Sequence, residues 1–142
     1  MFTGSYKHQL DAKNRIRIPA AYKNGMSGEL IMCASANRCI GVYTKEGFEQ
    51  VFSKYFTAGV FDAELQKRFT KFFSSVYTLE EDNQGRILLP EKLRSYAGIK
   101  KDVVTVGKFD RLEIWASEKL EAIEEEESFE ETFDFLGRME PK

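Results

Sequence analysis

A nine-residue pattern occurs twice in this chain of 142 residues, and the duplication constrains the fold more than any other feature. The first copy occupies residues 11–19 (DAKNRIRIP) and the second occupies residues 82–90 (DNQGRILLP), 71 positions later. Both fit D-x-x-[N/G]-R-I-x-[I/L]-P, an agreement that is hard to obtain by chance in so short a chain. Self-similarity at a fixed offset indicates two copies of one supersecondary unit that share a core.

The segments around the two copies also correspond, because residues 39–43 (CIGVY) parallel residues 111–115 (RLEIW). Each copy is predicted to fold as strand, turn, strand, short helix, strand, turn, strand and longer helix. Two phenylalanine-rich helices, which begin near Thr44 and after Asp62, join the copies. We therefore expect a first half over 1–76 that includes the linking helices, a second half over 77–123 and an acidic tail over 124–142.

Each residue type in the motif has a structural role in a turn. Asp11 accepts N–H groups of the residues that follow it, and Asn14 tolerates the positive φ that the turn requires. Ile16 and Ile18 then form the apolar face of a strand, which directs Arg15 and Arg17 to the other face. Pro19 ends the strand and opens a helix. The second copy has the same turn residue types, or their equivalents, at Asp82, Gly85 and Pro90.

Charge is distributed unevenly along the chain. Residues 1–101 carry a net charge of +6 and residues 102–142 carry −8, although the whole chain is only at −2. Within the basic part, residues 7–23 hold one acid, Asp11, and five cations, which are Lys7, Lys13, Arg15, Arg17 and Lys23. An acidic protein can bind nucleic acid when its positive charge is local, since affinity follows the number of phosphates neutralised rather than the net charge of the chain. A solvated hairpin is the alternative that charge alone leaves open.

Enzyme chemistry has little support in the sequence. His8 is the only histidine, and the two cysteines, Cys33 and Cys39, lie in apolar strand patterns typical of a core. The sequence contains neither a zinc-ligand set nor a glycine-rich phosphate loop, so we expect no metal and no cofactor. It also has no signal peptide and no apolar run long enough for a membrane, which predicts a cytoplasmic protein without a membrane partner. A cytosolic oligomeric scaffold that binds proteins is the alternative to a DNA-binding function.

The two Asp-x-x-x-Arg hairpins, the Met1-Phe2-x-Gly4 start and the segment 112–115 (LEIW) resemble the MraZ family of AbrB-like transcription factors. The resemblance implies an α+β, mainly β fold, in which two pseudo-twofold halves form a swapped-hairpin, double-split β-barrel with peripheral helices. It further implies a closed homo-oligomeric ring that regulates transcription in the nucleoid. The partner that it implies is double-stranded DNA, at tandem boxes upstream of the protein's own operon, a division and cell-wall gene cluster.

The resemblance also assigns the DNA contacts. Arg15 matches the main DNA-contacting arginine of the family, and Arg86 is its counterpart in the second copy. The predicted DNA-binding residues are Arg15, Lys13, Arg17, Lys7 and Arg86. The second turn departs from the first, because Gln84 and Leu88 replace the cations and acids precede its motif. For both arginines an ion pair with the aspartate of the same turn is the alternative role, and we expect the second hairpin to be the weaker DNA element.

The acidic tail combines the run 124–127 (EEEE) with four large apolar residues, which are Phe129, Phe133, Phe135 and Leu136. A frayed terminal segment is one interpretation of this pattern. Docking of the tail on the body or on a neighbouring subunit is the other, because large apolar groups rarely stay in water without a purpose.

Overall fold

The computed structural model describes residues 1–139, within which eight strands and five α-helices form. The strands are β1 (Ser5–Gln9), β2 (Arg15–Arg17), β3 (Leu30–Ser35), β4 (Cys39–Thr44), β5 (Tyr77–Leu79), β6 (Arg86–Leu88), β7 (Asp102–Lys108) and β8 (Arg111–Ala116). The helices are α1 (Lys45–Phe56), α2 (Ala63–Phe73), α3 (Glu91–Ala97), α4 (Ser117–Glu126) and α5 (Phe129–Gly137), and a short 3-10 helix spans Ala20–Tyr22. The predicted α+β class and the predicted order of elements in each half are confirmed.

The strands form one antiparallel sheet of six and a separate two-stranded ribbon. The sheet has the order β1-β7-β8-β4-β3-β5, and the ribbon pairs β2 with β6. The first strand of each half therefore pairs with the third strand of the other half, as β1 with β7 and β5 with β3. Among residues 1–139 no strand pairing joins β1 to β5, so hydrogen bonding leaves the sheet open at these two edges.

One main core lies between the ribbon and the sheet. The ribbon contributes Ile16 and Ile87, which face each other in the strand pairing and are almost fully buried. Leu30 and Met32 of β3 point into the same core. Because side chains alternate along a strand, Ile31 and Cys33 of β3 face the opposite side of the sheet. There a second cluster packs them against phenylalanines of α1 and α2.

Helix boundaries follow the capping residues. Asp62 caps α2 as predicted, and Thr44, near the predicted start of α1, caps that helix; each accepts a backbone N–H through its side chain. Pro19 and Pro90 have extended backbone and occupy the cap position just before their helices, one place earlier than a proline in the first helical turn. Gly98, with φ of 66°, ends α3 in the left-handed conformation.

The acidic tail is helical through most of its described length. The chain leaves α4 at Glu127 and starts α5 with a capping box between Ser128 and Glu131. Of the predicted tail over 124–142, residues 140–142 lie outside the described residues. Among residues 1–139 no helix combines the length and hydropathy needed to cross a membrane.

Candidate nucleic-acid interface

The first turn of the ribbon is held by Asp11. Its Oδ1 accepts the backbone N–H groups of Lys13 and Arg15, both at 2.9 Å. Its Oδ2 accepts the Nε–H of Arg15, also at 2.9 Å. Asn14 has a φ of 61°, as the motif predicted. One carboxylate thus fixes both the turn and the direction of the Arg15 side chain.

The second turn repeats this geometry. Asp82 Oδ1 accepts the N–H groups of Gln84 at 2.9 Å and Arg86 at 3.0 Å, and Oδ2 accepts Arg86 Nε at 2.9 Å. Gly85 adopts a φ of 73° at the position of the asparagine. The ion pair of each motif arginine with the aspartate of its own turn, which sequence analysis gave as an alternative role, is therefore present in both turns.

The two turns also face each other across the ribbon. Arg15 Nη1 lies 3.6 Å from Asp82 Oδ2, and Arg86 Nη1 lies 3.5 Å from Asp11 Oδ2. The four side chains, which we call the ribbon quartet, are each between 22 and 33% exposed. Sequence analysis missed the cross-pairs, although the constant offset of the repeat, together with antiparallel pairing of the two motifs, was the signal for them.

The quartet perturbs the ionisation of its acids. The backbone N–H of Arg15 is the largest cause that lowers the pKa of Asp11, with further contributions from the Lys13 N–H and the Arg15 guanidinium. The backbone N–H of Arg86 lowers the pKa of Asp82 in the same way. Both carboxylates are therefore ionised at neutral pH, and the quartet as a whole carries no net charge.

The uncompensated charge lies around the first turn. Lys13 and Arg17 are exposed, and none of the ion pairs found within residues 1–139 includes either of them. Arg17 Nη1 donates a hydrogen bond to the carbonyl of Gln84 across the ribbon, which directs its guanidinium along the outer face. The matching positions in the second copy hold Gln84 and Leu88, both exposed.

Lys7 extends the basic surface beyond the ribbon. A shallow groove of about 340 Å³ is lined by Lys7, Arg17 and Lys23, together with Tyr6, His8 and residues 18–20. Lys23 forms an ion pair with Glu81 at 3.4 Å, and Lys7 approaches Glu121 of α4 at 3.8 Å with both side chains largely exposed. The structure thus places Lys7 and Arg17, two of the predicted DNA-binding residues, along one groove.

The other candidate reactive groups belong to the interior. Cys33 and Cys39 are buried and unbonded, and burial raises the pKa of Cys33 to about 12 and that of Cys39 to about 11. Their thiols are therefore protonated and unreactive at neutral pH. Within residues 1–139 no three His, Cys, Asp or Glu side chains are grouped as a metal site would require.

Comparison with known proteins identifies the family. The family model described as "MraZ protein, putative antitoxin-like" matches residues 1–70 and 72–136. The chain is 40% identical over 136 residues to "Transcriptional regulator MraZ" of Symbiobacterium thermophilum, which covers 94% of this chain and 99% of that protein. It is 36% identical over 119 residues to the protein of the same name from Clostridium beijerinckii, with 84% of each chain covered. It is 34% identical over 128 residues to the one from Acetivibrio thermocellus, with 90% of each covered. The chain belongs to the MraZ family.

Proposed function

We propose that this protein is a transcriptional regulator that binds double-stranded DNA through the outer face of the β2–β6 ribbon. The observation that carries the proposal is the pair of exposed cations, Lys13 and Arg17, beside a ribbon quartet that is itself neutral. Its relatives of 34–40% identity carry the name of a transcriptional regulator rather than that of an enzyme.

A two-stranded ribbon is narrow enough to enter the major groove of B-DNA. Arg15 is the base-reading residue in this proposal. Within residues 1–139 its ion pairs engage Nε and Nη1, which leaves Nη2 available for a guanine acceptor. Because the ion pairs already fix the guanidinium, little side-chain entropy is lost when it binds a base. Lys13, Arg17 and Lys7 then bind phosphates on either side and set the position of the ribbon.

Arg86 has a smaller part in this proposal. It has the same ion pairs as Arg15, but its neighbours are Gln84 and the ion-paired Glu81. A phosphate approaching the second turn therefore meets one guanidinium and Lys23, which is already paired with Glu81. We assign Arg86 mainly to holding the first turn in place through Asp11, with DNA contact as a secondary role.

We further propose that ribbon and sheet together form the swapped-hairpin, double-split barrel of the family. The exchange of edge strands between halves and the core they share support this fold. Residues 1–76 and 77–123 are its two halves, with 124–142 as the tail. The proposed biological unit is a closed homo-oligomeric ring, located in the nucleoid of the cytoplasm. Successive subunits of the ring engage tandem boxes upstream of the protein's own operon, the division and cell-wall cluster, and multivalency raises a modest single-site affinity.

The test is a mobility-shift titration with DNA from the region upstream of the gene and with the same DNA shuffled. Wild type should prefer the native sequence, and its binding should weaken steeply as salt rises.

Arg15→Ala should reduce affinity by about 1–3 kcal/mol per box and relax the sequence preference. Lys67→Ala, which removes one positive charge from an exposed ion pair on α2, is the charge-matched control and should bind as wild type does. Equal binding by wild type and Arg15→Ala would refute the assignment. Failure of wild type to bind either DNA would favour a protein-binding scaffold instead.

A further inference from the structure

Helix α5 carries an apolar face that the rest of residues 1–139 leaves exposed. Phe129, Phe133 and Leu136 follow one another at helical spacing and are 78, 66 and 53% exposed. The rings of Phe129 and Phe133 stack, with centroids 6.1 Å apart. Nine residues are fewer than the roughly 12–15 that an isolated helix needs for stability in water. The capping box at Ser128 helps this helix to form, but an exposed phenylalanine stripe on so short a helix is typical of a surface that docks elsewhere.

A groove that could receive an apolar helix face lies between α2, α3 and the end of β3. It has a volume of about 540 Å³, and its apolar lining includes Ala34, Phe72 and Leu93. Three cations border it, which are Arg68, Lys71 and Lys92. Arg68 is paired with Glu64 at 3.0 Å. Lys92 Nζ donates to the carbonyl and hydroxyl of Ser74, and no ion pair within residues 1–139 includes Lys71 or Lys92. The groove is thus apolar inside and positive at its border.

The charge around α5 complements that border. Between Leu120 and Gly137 the chain contains no lysine or arginine, and the segment 124–134 carries seven acids. Glu130 and Asp134 flank the apolar face on the helix, one position after each phenylalanine of the stripe. A helix placed with its phenyl rings in the groove would bring these carboxylates towards the lysines at the border. None of the α5 residues lines the groove of its own subunit.

We propose that α5 of one subunit docks in the α2–α3 groove of a second copy of this chain. The two surfaces are different, so the contact is heterologous and each subunit can both give a helix and receive one. Repetition of such a contact closes a ring when the rotation per subunit divides a full turn. The inference specifies the interface of the proposed ring and is independent of how the ribbon contacts DNA.

The first experiment measures the mass of the full-length protein by native mass spectrometry and light scattering. Phe133→Glu and the groove variant Lys71→Glu/Lys92→Glu should each raise the concentration at which the oligomer dissociates by at least tenfold. Phe61→Glu is the matched control, because Phe61 is fully exposed in the α1–α2 connection and lies outside both proposed surfaces. It should keep the wild-type mass. Unchanged masses for Phe133→Glu and the groove variant, or a collapse caused by Phe61→Glu, would overturn the proposal.

A second experiment identifies what α5 contacts. A photo-crosslinking phenylalanine analogue at position 133 should give a product of two subunits, with the label attached to the α2 peptide that contains Phe72. Attachment within one subunit would mean that the helix covers its own groove, and attachment of α5 to α5 would mean an isologous pair. Either result contradicts the inference, as would a wild-type protein that is monomeric and does not crosslink.

The two proposals fail separately in these measurements. Phe133→Glu should keep its circular dichroism spectrum and its affinity for a DNA fragment with one box, while it loses affinity for an array of boxes. If a variant lost single-box binding while its oligomer stayed intact, the substitution would have affected DNA contact by the ribbon and not the interface between subunits.

Discussion

The two turns of the ribbon have the same internal geometry and different surroundings. In both, one aspartate accepts two backbone N–H groups and the Nε–H of an arginine, at 2.9–3.0 Å throughout. Around the first turn Lys13 and Arg17 are exposed cations, whereas Gln84 and Leu88 occupy these positions around the second. The Asp–Arg geometry is present in both turns, so we attribute it to the needs of the fold. The flanking residues differ, so they identify the side chains that are available for a ligand.

This comparison separates two roles that one motif combines. The Asp–Arg pairs cross between the copies and neutralise each other, so they explain why the motif occurs twice. They supply no net positive charge to a phosphate backbone. The flanking cations of the first copy do supply it, and the matching positions of the second copy hold Gln84 and Leu88, which do not.

The largest expected effect concerns the buried isoleucines that the two strands of the ribbon have in common. Ile16→Ala and Ile87→Ala each remove a buried side chain from equivalent positions in one core. Each should lower the free energy of unfolding by about 2–5 kcal/mol, measured by urea denaturation. Leu88→Ala, next to Ile87 but half-exposed, should stay within about 0.5 kcal/mol of wild type. A large loss for only one of the two isoleucines would mean that the halves do not contribute equally to the core.

The next effect separates structure from binding at the motif arginines. Arg15→Ala and Arg86→Ala break equivalent ion pairs and should lower the melting temperature by similar amounts. In DNA binding Arg15→Ala should lose about 1–3 kcal/mol, and Arg86→Ala should lose less. Calorimetry and a binding titration on the same preparations measure both quantities. If the two variants lost affinity equally, the asymmetry between the turns would have no role in binding.

A smaller effect tests the turn conformation itself. Gly85→Ala should cost about 1–2 kcal/mol, because a residue with a Cβ is strained at this positive φ, and a Cβ there would also meet Lys23 Nζ. Asn14→Gly should be nearly neutral, and Gly85→Asn should cost less than Gly85→Ala, since asparagine tolerates the left-handed region. Urea denaturation measures all three. If Gly85→Ala were as stable as wild type, the turn would not require the left-handed conformation.

The smallest expected effect is a dependence of folding stability on pH that arises from His8. His8 occupies the position that Leu79 holds in the second copy at the offset of 71. Its Nε2 lies 2.7 Å from the buried hydroxyl of Thr105, and burial lowers the pKa of this imidazole. The unfolded chain then binds the proton more readily, so stability is full above a pH of about 6.5 and decreases as the pH falls below it. Melting temperatures from pH 8 to pH 5 should fall less for His8→Leu than for wild type. Parallel curves would show that His8 does not contribute to this dependence.

Much of the fold follows from local sequence signals. The alternation around Ile16 and Ile87 and the cap at Asp62 predicted strands and helix starts, because each signal acts within a few residues. The repeat then predicted the same order of elements in both halves. The cross-pairs of the quartet were not predicted, because they join residues 67–75 positions apart whose proximity depends on the packing of the halves. Helix α5 was left open although Ser128 and Glu131 form a recognisable capping box, since the adjacent glutamate run favours a solvated segment equally well.

The central claim is that Lys13 and Arg17, the exposed cations of the first turn, bind the DNA backbone. The most direct test is the salt dependence of DNA binding in variants that give each turn the two flanking side chains of the other. Lys13→Gln/Arg17→Leu gives the first turn the side chains of the second, and should reduce the slope of log affinity against log salt by about 1.8, two phosphate contacts at about 0.9 each. Gln84→Lys/Leu88→Arg, the reverse exchange, should leave the slope at the wild-type value or make it steeper. An unchanged slope in Lys13→Gln/Arg17→Leu would contradict the account.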